Sequence, residues 1–255
     1  MQNHFEADRY GFLPSITYWK MSWIVLIDNS GSMGSHALNP NSLAIDVKNA
    51  IDTMLEEINN ISEEREILSY IRIITFNDLV SYAVGNRNHG EYITEAINTW
   101  RNFESIPYGG TNIASAIHEA VESIRTDRRE YLFSSSWLSP VLMLITDGMV
   151  NLADRVGNSL NDLKNIRKCQ TIRASIGLRH KYSIELDPFA SRGNIEHIDG
   201  RTDSDKPFSF FVESCDDLPN ICKVLSGGLI SIALDDNYTL LDPTENWDEE
   251  DDDWR

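Results

Sequence analysis

Trp23-Ile24-Val25-Leu26-Ile27-Asp28-Asn29-Ser30-Gly31-Ser32 joins a run of apolar residues directly to a short polar loop. An uninterrupted apolar run of this length is typical of a strand that is buried on both faces of a sheet. The carboxylate of Asp28 and the hydroxyls of Ser30 and Ser32 would then converge where the strand ends. Such oxygens are the ligands that a hard divalent cation prefers. The stretch therefore predicts a central strand with a metal site at its carboxyl end.

Two further segments carry the same kind of chemistry. Gly109-Gly110-Thr111 precedes a helical pattern, and Thr146-Asp147-Gly148 follows a second apolar run, Val141-Leu142-Met143-Leu144-Ile145. Each loop alone would be explained by ordinary capping of the helix that follows. Three such loops together favour one shared site, because ligands gather at the carboxyl ends of parallel strands. The predicted metal ligands are Asp28, Ser30, Ser32, Thr111 and Asp147.

This set of residues, a D-x-S-x-S motif with a distal Thr and a T-D-G motif, resembles the metal-ion-dependent adhesion site of von Willebrand factor A domains. The resemblance covers roughly residues 20 to 235. Within that superfamily the chain resembles the cytoplasmic bacterial proteins of the tellurium-resistance-associated (TerY-like) group, because Ile73-Ile74-Thr75-Phe76-Asn77 is similar to their second strand. Members of that group are associated with partner kinases and phosphatases in stress or defence systems.

The resemblance implies how the site works. Ser30, Ser32 and Thr111 would bind the ion directly, whereas Asp28 and Asp147 would act through bound waters. Because the direct ligands are neutral, the ion keeps much of its positive field, and a Glu or Asp of a partner protein completes its shell. We expect Mg²⁺, with Mn²⁺ or Ca²⁺ as alternatives. The residues expected at the partner-binding rim are Asn29, Gly31, Met33, His36, Gly110 and Gly148.

The order of apolar runs and helical patterns predicts an α/β fold: a doubly wound, mostly parallel central sheet with one antiparallel edge strand and helices on both faces. Leu68 to Phe76 and Leu79 to Val84 read as a hairpin around Asn77-Asp78, which supplies the antiparallel edge. Ile195 to Ile198 reads as a short last strand, followed by a final helix from about Asp216.

Three regions are expected along the chain. Residues 1–19 read as an N-terminal extension, residues 20–235 as the von Willebrand factor A domain, and residues 236–255 as an acidic, disordered tail. From residue 242 onward the tail has eight acidic residues against one arginine. A segment with that charge buries too little apolar surface to fold alone.

Composition limits the partners. The 255 residues carry a net charge of −18 and no local basic patch, which argues against binding to a nucleic acid. No apolar segment reads as long enough to cross a membrane, and the first residues lack the pattern of a secretion signal. The three cysteines form no evident disulfide framework. We therefore expect a cytoplasmic protein that binds neither nucleic acid nor membrane.

Catalysis is disfavoured by the motifs. Phosphohydrolases of the haloacid dehalogenase type also place an Asp after a strand and bind Mg²⁺, but they carry a second Asp where this chain has Ser30. The chain has no G-x-S-x-G elbow and no phosphate-binding glycine loop. The expected function is an adaptor that binds a protein partner. The alternatives are a partner subunit of an AAA+ ATPase of the chelatase or MoxR type and, from another class, a Mg²⁺-dependent phosphohydrolase.

Overall fold

A computed structural model describes residues 18–34, 43–131, 136–147, 157–166, 170–178 and 186–245, with the backbone alone for 128–131. Ten strands lie in these ranges: β1 Trp19–Asp28, β2 Ile67–Phe76, β3 Val80–Val84, β4 Glu91–Tyr92, β5 Val141–Thr146, β6 Ile172–Leu178, β7 Arg192–Glu196, β8 Thr202–Pro207, β9 Ser209–Val212 and β10 Thr239–Leu241. Five α-helices accompany them: α1 Leu43–Glu64, α2 Ile93–Asn102, α3 Ile113–Tyr131, α4 Gly157–Lys164 and α5 Leu218–Asp235.

Seven strands form the central sheet, which confirms the predicted fold class. The order is β3-β2-β1-β5-β6-β9, with β4 also paired to β2. Strands β2, β1, β5, β6 and β9 run parallel, whereas β3 and β4 pair antiparallel with β2 at one edge. From β1 the chain proceeds outward to β2 on one side, and later to β5 on the other. The strand order therefore reverses between β1 and β5, where such sheets bind ligands.

Alternate side chains of β1 enter two separate cores, because successive residues of a strand point to opposite faces. Trp23, Val25 and Ile27 pack with α1, α2 and α5 on one face. Ile24 and Leu26 pack with α3 and α4 on the other face. All five side chains are buried, as the apolar run predicts. Helices on both faces thus hold β1 rigidly at the centre of the sheet.

The last strand of the central sheet is β9, not the segment that the sequence predicted. Residues 192–196 do form a strand, β7, but it lies in a second sheet of order β10-β7-β8. In that sheet β10 runs parallel and β8 antiparallel to β7. The sequence patterns did not predict β4, β8, β9 or β10.

Helix α5 continues through Gly227 and Gly228, where the sequence left its end open. A Cβ at Gly228 would lie 2.5 Å from the side chain of Leu240, so the missing side chain leaves room for β10 to pack on the helix. Leu240 is buried there at 1% exposure. The segment expected to be a disordered tail from residue 236 therefore begins with an ordered strand. Residues 246–255 lie outside the described residues, as do residues 1–17 of the expected N-terminal extension.

One helical segment among the described residues, Cys215–Asp235, which joins a 3₁₀ turn to α5, is long and apolar enough by length and composition to cross a membrane. The expectation that no segment passes this test was therefore wrong. The described structure places the helix against α1 and the central sheet, with Leu218, Leu225 and Leu229 fully buried. Burial of this kind is typical of a core helix.

Candidate metal centre

Asp28 ends β1 and lies almost completely buried, at 1% exposure. Both of its carboxylate oxygens accept hydrogen bonds. The backbone N–H of Ser30 donates to Oδ1 at 2.8 Å, and the hydroxyl of Thr146 donates to Oδ2 at 2.6 Å. Thr146 is the last residue of β5, which runs parallel to β1. The carboxylate is thus held between the ends of two neighbouring strands.

Burial raises the pKa of the Asp28 carboxyl above its ordinary value, and the hydrogen bonds from Thr146 and Ser30 oppose that rise. The nearby charge of Asp147 also raises the pKa. Two carboxylates at one place, one of them desolvated, are costly when both are ionised. A bound cation would offset that cost.

Hydrogen bonds between side-chain oxygens connect the first and third loops. Ser32 Oγ donates a hydrogen bond to Asp147 Oδ1 at 2.8 Å, and the hydroxyls of Ser30 and Ser32 lie 3.0 Å apart. Residues 31–33 form a 3₁₀ turn, with Ser30 at its N-cap position and Ser32 within it. The structure therefore brings together Asp28, Ser30, Ser32 and Asp147, four of the five predicted ligands.

The loop that carries the fifth predicted ligand, Thr111, docks onto the first loop through backbone hydrogen bonds. The N–H of Gly31 donates to the carbonyl of Gly109 at 3.1 Å, and the N–H of Tyr108 donates to that of Asn29, also at 3.1 Å. Thr111 follows Gly109 by two residues, lies two residues before α3 begins, and is half-buried. Among the described residues, no hydrogen bond joins the Thr111 side chain to the other four predicted ligands.

The predicted rim divides into three groups. Gly110 is exposed and Gly31 half-buried, in keeping with a position at the rim. Met33 is fully buried in the core on the α1 face, and Asn29 is buried with its Oδ1 accepting a hydrogen bond from Ser105. The side chains of Met33 and Asn29 are therefore not part of the exposed rim. His36 and Gly148 lie outside the described residues.

Sequence reasoning missed two residues of the site. Thr146 was quoted only as part of its motif, yet it binds the buried carboxylate. Asp78 follows β2, and its Oδ2 accepts a hydrogen bond from the N–H of Gly110 at 3.1 Å. Both lie at the carboxyl ends of strands next to β1, so the rule that located Asp28 and Asp147 also points to them.

A cavity of about 1230 Å³ opens beside the site. Its lining includes Asp28, Asn29 and Gly31 together with apolar side chains of α1 and of the 103–108 segment. Three of the apolar side chains that line the cavity are largely exposed: Ile45, Tyr108 and Ile106, the last at 83%. An apolar surface thus borders the polar one.

Residues 23–149 match the family model described as the von Willebrand factor type A domain. This part of the chain, just under half of its length, is therefore similar to von Willebrand factor type A domains, which are metal-dependent adhesion and interaction modules. No curated protein sequence shows significant similarity to the chain.

Solved structures share the fold. A von Willebrand factor type A protein from Catenulispora acidiphila superimposes with a TM-score of 0.58 at 12% identity, over 83% of this chain and 43% of that one. Proximal thread matrix protein 1 from the mussel byssus, solved with a zinc-occupied MIDAS motif, gives 0.51 at 16% identity, over 82% and 46%. The pilus adhesin SpaC from Lactobacillus rhamnosus GG gives 0.55 at 11%, over 86% and 31%. This chain spans less than half the length of each of the three.

Proposed function

We propose that the chain is a metal-dependent protein-interaction module, in which a Mg²⁺-type ion at Asp28, Ser30, Ser32, Thr111 and Asp147 binds an acidic side chain of a partner protein. The hydrogen-bonded series Ser30–Ser32–Asp147 beside a buried carboxylate supports this proposal more than any other observation. Every side-chain atom in this series that could bind a metal is an oxygen, as a hard cation requires.

The spacing of these oxygens favours Mg²⁺ or Mn²⁺ over Ca²⁺. In an octahedral shell with metal–oxygen bonds of about 2.0–2.1 Å, adjacent ligands lie about 2.8–3.0 Å apart. The hydroxyls of Ser30 and Ser32, the two neighbouring direct ligands, lie 3.0 Å apart. Ca²⁺, with bonds of about 2.3–2.6 Å, would need this pair to move roughly half an ångström further apart. When bound, the ion would supply a positive field for an incoming carboxylate.

The surface around the site supports a protein partner. Ile106 and Tyr108 have exposed side chains, and the backbone N–H of Tyr108 donates to the carbonyl of Asn29 in the first loop. Exposed apolar side chains that border a polar site are typical of protein interfaces. We therefore propose a partner that presents a Glu or Asp flanked by apolar residues.

The setting that we propose is that of the TerY-like group: a cytoplasmic adaptor for a kinase or phosphatase in a bacterial stress or defence response. A partner subunit of an AAA+ ATPase is the alternative in the same class. Retention of a kinase or phosphatase, or of an ATPase, on the chain in Mg²⁺ but not in EDTA would separate the two.

The geometry disfavours the phosphohydrolase alternative. As a nucleophile, Asp28 would need a carboxylate oxygen open to substrate, but both oxygens accept hydrogen bonds and the side chain is buried. An assay of the isolated chain with a generic phosphomonoester and Mg²⁺ tests this directly. Turnover that is abolished by Asp28→Asn would support the enzyme alternative and contradict ours.

Calorimetric titration with Mg²⁺ and Mn²⁺ tests the metal site itself. Ser32→Ala removes an exposed hydroxyl with little effect on the fold, and we expect it to weaken metal binding at least about ten-fold, the effect of losing roughly 1.4 kcal/mol. Ser81→Ala, at an exposed position on β3, is the matched control and should bind as the unaltered chain does. Equal affinities of the two variants would refute the assignment.

A further inference from the structure

A second cluster of potential metal ligands lies in the small sheet, away from the site already described. His197 directly follows β7, and Asp242 directly follows β10. Because these strands pair in parallel, with Leu241 opposite Glu196, both residues emerge at the same end of the sheet. Glu245 lies in the turn beyond Asp242. One ligand atom from each of His197, Asp242 and Glu245 falls within 4.8 Å of the others.

Backbone and hydroxyl donors hold the two carboxylates of this cluster. One oxygen of Glu245 accepts a hydrogen bond from the N–H of Ile198 at 2.6 Å, and its other oxygen lies 2.9 Å from His197 Nδ1. Asp242 Oδ1 accepts from the N–H and the hydroxyl of Thr244, while Oδ2 lies 3.4 Å from the same Nδ1. In each carboxylate, therefore, one oxygen accepts hydrogen bonds from the chain, and the other oxygen faces Nδ1 of His197.

The other ring nitrogen of His197, Nε2, faces a third carboxylate. His197 is buried at 9% exposure, and its buried Nε2 has no hydrogen-bond partner among the described residues. Asp203 of β8 places its Oδ2 3.6 Å from Nε2, just beyond hydrogen-bond reach. A small movement would let Nε2–H donate to Asp203. That bond would fix the tautomer in which Nδ1 offers its lone pair towards Asp242 and Glu245, as in the carboxylate–histidine–metal arrangements of known sites.

We propose that His197, Asp242 and Glu245 form a second metal site that takes a Zn²⁺ ion, with Asp203 as the residue that positions the imidazole. One nitrogen and two carboxylate oxygens are a ligand set that Zn²⁺ accepts, whereas Mg²⁺ rarely takes imidazole. With bonds of about 2.0–2.2 Å, two ligands of a tetrahedral zinc lie about 3.3–3.6 Å apart. The Nδ1–Asp242 distance of 3.4 Å fits this, and the Nδ1–Glu245 distance of 2.9 Å needs to widen by about half an ångström.

The competing arrangement is an ion pair without metal. The hydrogen bond with Glu245 raises the pKa of His197, which favours an imidazolium held between acidic side chains. Protonation at Nδ1 and coordination through Nδ1 exclude each other. Zinc binding therefore has to release that proton, and the two states differ in whether the chain takes up the ion at all.

The test uses the full chain carrying Ser30→Ala and Ser32→Ala, which impair the first site, dialysed against zinc chloride alone. We expect about one zinc per chain. His197→Gln in this background should remove that zinc, and Asp242→Asn or Glu245→Gln should weaken it. His118→Gln is the matched control, because His118 is an exposed histidine on α3. Circular dichroism confirms that each variant is folded.

Asp203→Asn tests whether Asp203 positions the imidazole of His197 or only packs against it. Loss of such an outer partner weakens metal binding about 10–100-fold, and the visible absorption of bound Co²⁺ should shift while the fold is retained. The proposal is overturned if the chain with an impaired first site binds no zinc, since the cluster is then an ion pair only. It is equally overturned if zinc binds but survives His197→Gln. Neither result affects the proposed function, which depends on different residues.

Discussion

The hydroxyl of Thr146 donates a 2.6 Å hydrogen bond to the carboxylate of Asp28, joining the ends of two parallel strands 118 residues apart in sequence. This bond fixes the orientation of the one fully desolvated acid of the candidate metal centre. It also connects the first and third loops of the site, because Asp147 follows Thr146 immediately. The position of Asp28 thus depends on a residue that binds no metal in the proposed shell.

Thr146→Val should therefore lower both the stability of the chain and its affinity for the metal. Valine keeps the shape of threonine but leaves Asp28 Oδ2 without its hydroxyl donor, which costs about 1.5–3 kcal/mol for a bond to a charged group. We expect a lower free energy of unfolding in urea and weaker Mg²⁺ binding by calorimetry. Thr75→Val is the control, since Thr75 lies buried at the same end of β2 and makes only a 3.5 Å contact with a carbonyl. Equal effects of both variants would mean that the bond has no special role.

Gly109 is required by two separate features of the second loop. Its φ is +73°, and a Cβ there would lie 2.4 Å from Asp78 Oδ2. Gly109→Ala should displace either Asp78 or the 108–111 loop, and so weaken metal binding through Thr111. Gly200 is a natural control, because its φ is +79° but a Cβ there would meet nothing within 4 Å.

Comparison of the two alanine variants separates backbone strain from steric conflict. Gly200→Ala should cost only the strain of a left-handed residue, about 1–2 kcal/mol, and leave metal affinity unchanged. Gly109→Ala should cost more than that in urea unfolding and also lower the affinity for Mg²⁺. If both variants bind Mg²⁺ equally well, the docking of this loop does not matter for the site.

The sequence predicts the centre of this fold well because its signals there are local. The apolar runs that became β1 and β5 are buried on both faces, and each ends abruptly in a polar motif, so both strand and ligand positions follow from neighbouring residues. Strand β8 carries no such signal. Its residues, Thr202 to Pro207, are mostly exposed and half of them are charged, so no apolar alternation distinguishes them from a loop. Pairing with β7 alone makes them a strand.

The errors within the site have a similar origin. Met33 belongs to the motif loop by sequence, but the 3₁₀ turn directs its side chain into the core. Asp78 was read only as a hairpin residue, because its contact with Gly110 joins positions 32 residues apart. Burial direction and long-range contacts of this kind depend on how loops dock. They are not encoded in the spacing of a motif.

Arg72 and Asp127 form a buried ion pair that should matter greatly for stability. Arg72 is 1% exposed, and both of its terminal nitrogens donate to Asp127, at 2.8 and 2.6 Å. Asp127→Ala would leave the guanidinium buried without its counter-charge, which costs about 3–5 kcal/mol. Urea unfolding measures the loss.

The double variant Arg72→Met with Asp127→Leu should recover most of that loss, because it removes both buried charges. An exposed pair provides the contrast. Arg192 and Asp205 lie on the surface of the small sheet, and Arg192→Ala should leave the unfolding midpoint unchanged within error. If Asp127→Ala is as mild as Arg192→Ala, the pair is not the stabilising feature that its burial implies.

The ordered domain should extend to residue 245 and not end at 235. Leu240 packs into the space left by Gly228, and the N–H of Asp242 donates to the carbonyl of Glu196 at 2.8 Å. A chain that ends after residue 245 keeps both contacts, whereas one that ends after residue 238 loses them. We expect the longer form to unfold at the same temperature as the full chain, and the shorter form to unfold well below it.

Leu240→Ala in the full chain checks the cause of that difference. Truncating a fully buried leucine costs about 2–5 kcal/mol, so it should reproduce most of the destabilisation caused by ending the chain after residue 238. Leu79→Ala is the control, because Leu79 is largely exposed and should cost little. Should the shorter form prove as stable as the full chain, β10 would contribute nothing to the stability of the domain.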